Sequence, residues 1–193
     1  APQQNCAEVA KRHGKKTLSC ATRAFFCDTR GWVCAAIAAA LAARATRSAL
    51  GLDDAVTIEV RPKLRFLRYC AAGGVLPPHT DLPKVDDRAA SIRGENTRST
   101  HTFLLCLTDD TLGGGTALLR TLRPGGAENA LAVVQPRRGR FLFFPHVCPH
   151  EGLAVRFAPK VLLRGELVIS RGESGPRSRG GDGVGAGGGG AAH

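Results

Sequence analysis

Three residues in this chain have the types and spacing to hold a metal ion. They are His79 and Asp81, within His79-Thr80-Asp81, and His150, 69 residues after Asp81. Residues two apart on an extended segment project to the same side, so the imidazole and the carboxylate of the first pair converge. That pair carries little weight by itself, because six His and nine Asp are spread over 193 positions. His150 supplies the context, lying just past a strand-like run over residues 140–144. Two imidazoles and one carboxylate on one face of an octahedral Fe(II) leave three positions open, which suits a bidentate keto acid plus dioxygen. A structural zinc site would take four ligands with thiolates among them. Cys148 sits two residues from His150, but no fourth ligand stands at finger-like spacing.

A keto acid with a distal carboxylate needs a buried cation. Lys160 lies 10 residues after His150, and Arg164, four further on, shares its face of an extended run that is otherwise apolar on both sides. A charge placed there wants a partner, although a solvated strand charge is the ordinary alternative. His101 and His146 are spare histidines: His101 is next to Thr102 and should face the other way, and His146 lies in the loop before Pro149. There is no convincing Ser/His/Asp or Cys/His triad, in keeping with chemistry that needs no side-chain nucleophile.

The elements that must position these groups change character along the chain. Residues 1–30 are mixed and polar, with a short helix expected over 6–12 that Gly14 ends. Residues 32–50 are rich in Ala and Leu, follow capping candidates Asp28 and Thr29, and stop at Gly51. One helix is expected there, as a buttress against a sheet. From residue 56 the texture is β, in short runs separated by Gly, Pro and Asp. After a first short strand at 56–60, eight are expected: 64–70, 75–79, 100–107, 116–120, 131–135, 140–144, 151–157 and 161–169. Eight strands in two sheets make a jelly roll, a double-stranded β-helix with helices flanking its N-terminal side. Residues 82–99 are charged, turn-rich and aperiodic, and directly follow Asp81, so they read as a lid or substrate loop. Residues 172–193 contain ten Gly in 22 positions and read as a disordered tail beyond one domain over 1–171.

Composition bounds the partners. One core of this size excludes two full domains. The longest apolar run, residues 32–43, has 12 members, whereas a membrane-spanning helix needs roughly 20. Seven cysteines form no CxxC pair and read as reduced thiols, which points to a non-oxidising compartment, cytoplasmic or nuclear. The chain has no Met, so it has lost its initiator or is cut from something longer, and a removed targeting signal stays open. The net charge of +11 invites an acidic or nucleic-acid partner, but the Lys and Arg residues are scattered.

The residues then resemble a family, the prolyl 4-hydroxylase-like branch of the Fe(II)/2-oxoglutarate dioxygenases. The resemblance covers about residues 23–170. It rests on RFLRYCAAGGVLPPHTD (65–81), THTFLLCLTDD (100–110), GGGT (113–116) and PRRGRFLFFPHVCPHEGLAVRFAPKVLLRGEL (136–167). It implies that His79, Asp81 and His150 ligate iron and that Lys160 pairs with the distal carboxylate of 2-oxoglutarate. It further implies that Tyr69 hydrogen-bonds the same carboxylate and that Thr102 lines that pocket. Tyr69 reads equally as a core aromatic with its hydroxyl satisfied. Cys106 stands where some relatives have a second Tyr, and branches differ in using Lys or Arg as the anchor, so Lys160 and Arg164 both remain candidates. The implied reaction consumes 2-oxoglutarate and dioxygen, releases succinate and CO2 and hydroxylates a C–H bond, with ascorbate as a reductant. A prolyl residue in a peptide is the family's best-known target. Small molecules are hydroxylated on the same scaffold, nucleic acid is disfavoured by the RGELVIS ending, and a non-catalytic binding module is the rival outside enzymes.

Overall fold

Strand β3 (Lys63–Tyr69) shows how alternation sorts the side chains into two cores. Leu64 points to one side, into a cluster with Ile37, Leu41, Val60, Phe103, Leu163 and Leu167. Leu67 and Tyr69 point to the other, into a cluster with Leu104, Cys106, Phe144, Val155 and Leu162. The first lies between the large sheet and a helix, the second between two sheets. The central strands of the sheet are therefore buried on both faces, which is why the sequences at residues 101–106 and 160–169 read as nearly continuous apolar runs.

The computed structural model describes residues 21–85, 98–109, 113–123, 128–157 and 159–171. The helix expected over 6–12, most of the loop at 82–99 and the Gly-rich tail fall outside them. The other elements are β1 (Ala21–Cys27), α1 (Trp32–Ala42), α2 (Arg44–Ala49), β2 (Val56–Val60), β4 (Leu76–His79), β5 (His101–Cys106), β6 (Thr116–Leu119), β7 (Ala130–Val134), β8 (Phe141–Pro145), β9 (His150–Gly152) and β10 (Lys160–Arg171). The large sheet runs β1-β3-β10-β5-β8, with β2 also paired to β10, and the small sheet runs β4-β9-β6-β7. All pairings between these strands are antiparallel. With β3 as the first of eight, successive strands alternate between the two sheets except at β6 and β7, which pair as neighbours in the small sheet, and this is the jelly-roll order. The twelve-residue β10 binds β3 along its first half and β2 along its second.

Three local expectations need correction. The stretch before residue 30, read as mixed and polar, contains β1, which pairs along its whole length with β3. Its side chains are nearly all exposed, so it carries no burial pattern to reveal it. The single helix is two: Ala43 takes φ −57° and ψ 132° between them. Gly31, at φ 71°, is the N-cap, while the Asp28 carboxylate accepts the Cys34 N–H at 2.8 Å. The strand expected over 151–157 ends at Gly152. Beyond it the chain leaves the ladder, and Val155 donates to the Gly74 carbonyl while its own carbonyl accepts from Gly73.

Helix α1 buttresses the large sheet through Ile37 and Leu41, four apart on one face. Packing there is tight at Gly165, where a Cβ would lie 2.4 Å from Phe103 Cε1 and 2.8 Å from Leu64 Cδ2. Gly165→Ala is therefore expected to destabilise the fold by about 1–3 kcal/mol, the usual penalty of overpacking a core. Urea denaturation measures it, and an unchanged midpoint would show that Phe103 yields freely.

Candidate metal centre

The two histidines meet across the small sheet. Pro77 and Pro78 cannot donate to a ladder, so the pairing of β4 with β9 is irregular between Leu76 and His79 and resumes at the pair His79 and His150. Their ring centroids lie 4.2 Å apart. Each ring is oriented by a main-chain carbonyl: His79 Nδ1 is 2.9 Å from the Pro77 oxygen and His150 Nδ1 is 3.0 Å from that of Cys148. A carbonyl can only accept, so Nδ1 carries the proton in both rings and the Nε2 lone pairs are the free ligand positions. Those nitrogens lie 4.0 Å (His79) and 3.6 Å (His150) from the Asp81 carboxylate oxygens. All three ligand atoms fall within 4.8 Å of one another, and no other His, Cys, Asp or Glu joins the group among the described residues. Cys148 stays out of it, its thiol directed to the Pro149 carbonyl at 3.6 Å.

Asp81 is held as firmly as the rings. Its main-chain N–H donates to the His146 carbonyl at 3.0 Å. Its Oδ2 accepts from the Thr102 hydroxyl at 2.6 Å and its Oδ1 from Arg164 Nη2 at 2.8 Å. Burial alone would raise the carboxyl pKa, but the Arg164 charge and the Thr102 hydrogen bond bring it below the ordinary carboxylate value. Burial, reinforced by neighbouring His79 and Arg164, lowers the pKa of His150. At neutral pH the site thus presents a carboxylate beside a neutral His150 ring, the forms that bind metal. The donor set and its orienting hydrogen bonds fit Fe(II).

Thr102 lines the cavity, but its proton is committed to Asp81, so its hydroxyl positions a ligand of the metal cluster. Outer hydrogen bonds of this kind are worth about 10- to 100-fold in metal affinity. Thr102→Val should weaken iron binding by that factor in competition with a chromophoric chelator, and unchanged affinity would remove Thr102 from the site.

Lys160 is 2% exposed and Tyr69 3%. They line the same cavity as His79 and His150, a space of about 40 Å3 with Thr116 and Arg164 in its walls. Lys160 Nζ donates to the Gly114 carbonyl and sits 5.1 Å from the centroid of the Tyr69 ring. Register places Lys160 opposite Tyr69 and Arg164 opposite Arg65. Arg164 is buried and engaged by Asp81, Thr102 and Glu166, with Nη1 2.7 Å from the Glu166 carboxylate. Of the two candidate anchors, Arg164 thus sits at the metal ligands and Lys160 farther along the strand beside Tyr69.

Sequence reasoning missed two members of this network. His146, set aside as spare, is 1% exposed; its Nδ1 is 3.1 Å from the Thr102 hydroxyl and its Nε2 2.8 Å from that of Ser99. Thr102 gives its proton to Asp81, so His146 Nδ1 must donate and Nε2 must accept from Ser99. Glu166 faces the same ring, Oε2 3.3 Å from Nε2, and burial raises its pKa. The signal for Glu166 was present: it stands two residues after Arg164, on the same face of an apolar strand. His101 points elsewhere, toward Phe143 at 6.1 Å between ring centroids.

The fold and site together define a jelly-roll protein with a two-histidine, one-carboxylate cluster at one end of its barrel. No family model and no curated protein matches the sequence. Similar solved structures include a 2OG-Fe(II) oxygenase family oxidoreductase from Burkholderia pseudomallei, at 15% identity and TM-score 0.44, covering 72% of this chain. This chain spans 59% of the length of that protein. A viral collagen prolyl hydroxylase from Paramecium Bursaria Chlorella virus-1, in a 2OG complex, is 18% identical at TM-score 0.48, covering 84% of this chain and 88% of the other. A Pseudomonas putida prolyl-4-hydroxylase is 19% identical at TM-score 0.46, covering 84% and 83%.

Proposed function

We propose that this chain is an Fe(II)- and 2-oxoglutarate-dependent dioxygenase that hydroxylates a C–H bond. The observation that carries the reading is the convergence of His79, Asp81 and His150, each oriented by a further hydrogen bond and with no fourth protein ligand among the described residues. When bound, iron supplies the oxidation of 2-oxoglutarate by dioxygen to succinate and CO2, with one oxygen atom passing to the substrate. The protein contributes position and charge. His79 and His150 offer Nε2 while their Nδ1 protons stay on carbonyls, and Asp81 contributes a charge kept ionised by Arg164. Lys160 would hold the distal carboxylate by exchanging the Gly114 carbonyl for it, and the Tyr69 hydroxyl would donate beside it. The apolar walls formed by Leu67, Leu76, Leu104 and Leu162 exclude water from that pairing.

A prolyl residue in a peptide is the substrate that the motif resemblance favours. The test is succinate release from 2-oxoglutarate by the purified chain with Fe(II) and ascorbate, followed by mass spectrometry of offered peptides for a gain of one oxygen. No succinate from iron-loaded, folded protein would sink the proposal in favour of a binding module.

A further inference from the structure

A second cavity, of about 180 Å3, shares Arg164 with the cavity at the metal ligands. Its walls are Phe25 of β1, Lys63 and Arg65 of β3, Arg61 and Pro62 before that strand, Lys84 and Val85 after Asp81, and Glu166. Among the described residues, five cations therefore face one acid. Arg164 is matched by Asp81 and Glu166, and Arg61 by Glu59 at 3.1 Å. Lys63, Arg65 and Lys84 make no salt bridge among the described residues. Arg65 is the most constrained of these. Its Nε is buried without a hydrogen-bond partner among the described residues, and its guanidinium lies over Phe25, 5.0 Å from the ring centroid. Burial and the charges of Arg164 and Arg23 lower its pKa, the sign of crowding that an anion would relieve.

We propose that this cavity binds a carboxylate carried by the substrate, with Arg65 as its main anchor. The word substrate rests on the oxygenase reading above; the binding does not. A planar guanidinium takes a carboxylate through two parallel N–H bonds, and Phe25, Pro62 and Val85 give a short carbon chain an apolar wall. A nucleic-acid backbone would need a basic track past several phosphates rather than one small cavity. Because Arg164 borders both cavities, the acid group would lie a short distance from the C–H bond presented to the metal ligands.

The test uses the full chain with Fe(II) and saturating 2-oxoglutarate under anaerobic conditions, so that the first cavity does not take the probes. Titration calorimetry compares N-acetyl-L-glutamate with its glutamine analogue, and acetyl-Gly-Glu-Pro-Glu-Gly-amide with the peptide in which both Glu are Gln. The acids should bind at least about ten-fold more tightly than the amides, and Arg65→Gln should weaken them by about ten- to a hundred-fold. Arg65→Lys should recover part of the loss. Arg68→Gln, on the opposite face of the same strand, should change nothing. Preference for the free acid or for the peptide identifies where the carboxylate comes from; either supports the proposal. Equal binding of acids and amides overturns it, as does an equal loss in Arg68→Gln. So does an oligonucleotide that binds through Arg65 while neither acid does. Aerobic succinate release is measured in parallel. Arg65-dependent binding without succinate would support the cavity and defeat the oxygenase reading; succinate with Arg65-independent binding would do the reverse.

Discussion

Replacing His79, Asp81 or His150 by alanine is expected to reduce 2-oxoglutarate turnover to background. Each removes one of three protein donors, and the two that remain cannot hold iron against exchange with water. The variants should differ in stability. His79 lies at the edge of the site, its side chain 33% exposed, so His79→Ala costs the fold little. Asp81→Ala leaves the buried Arg164 guanidinium with Glu166 but without its second carboxylate, and a buried donor left unsatisfied in this way costs about 1–3 kcal/mol. Asp81→Asn separates the effects, since its amide oxygen still accepts from Thr102 while the charge is gone. Iron content, succinate release and thermal unfolding of each variant make the comparison. A variant with near-normal activity and iron would show that the triad is wrongly assigned.

Lys160→Met should raise the 2-oxoglutarate requirement by about thirty-fold to several thousand-fold, with iron binding nearly intact. That range corresponds to the roughly 2–5 kcal/mol lost when one partner of a buried charge pair is removed. Met keeps the volume of the side chain, so the effect reports the charge. Arg164→Met should behave differently, because Arg164 touches Asp81 at 2.8 Å and Glu166 at 2.7 Å. Its loss leaves two buried carboxylates uncompensated, which lowers stability and raises the Asp81 pKa. The expected signature is a lower melting temperature and weaker iron binding, with a smaller rise in KM for 2-oxoglutarate. Cosubstrate titrations at saturating iron decide between them. The reverse order would make Arg164 the anchor and leave Lys160 as a support for the Gly114 turn.

Much of the architecture is legible in the amino-acid sequence. The strand at residues 56–60 agrees with β2 to the residue, and most of the others begin within one position of where alternation places them, because burial on one or both faces writes itself into apolar spacing. β1 left no such mark, since an exposed edge strand is held by main-chain pairing to β3, and that pairing is indifferent to side-chain type.

The same division runs through the site. Spacing alone brought His79 and Asp81 to one side of an extended segment, and the types of His79, Asp81 and His150 marked them as a set that could hold a metal ion. That Lys160 and Arg164 share a face also followed from alternation. What each of them touches did not, because partners are set by which strands become neighbours and in what register. β10 lies between β3 and β5, so Lys160 comes beside Tyr69, while Arg164 comes within reach of Thr102 and the Asp81 that follows β4. His146 and Glu166 were invisible as a pair for the same reason. They are 20 residues apart in sequence and 3.3 Å apart in space, joined only when β8 and β10 flank β5 in the closed sheet. Sequence determines which side chains must be buried and which chemistry they bring; tertiary structure decides which of them a buried charge meets, since that depends on contacts between segments far apart in the chain.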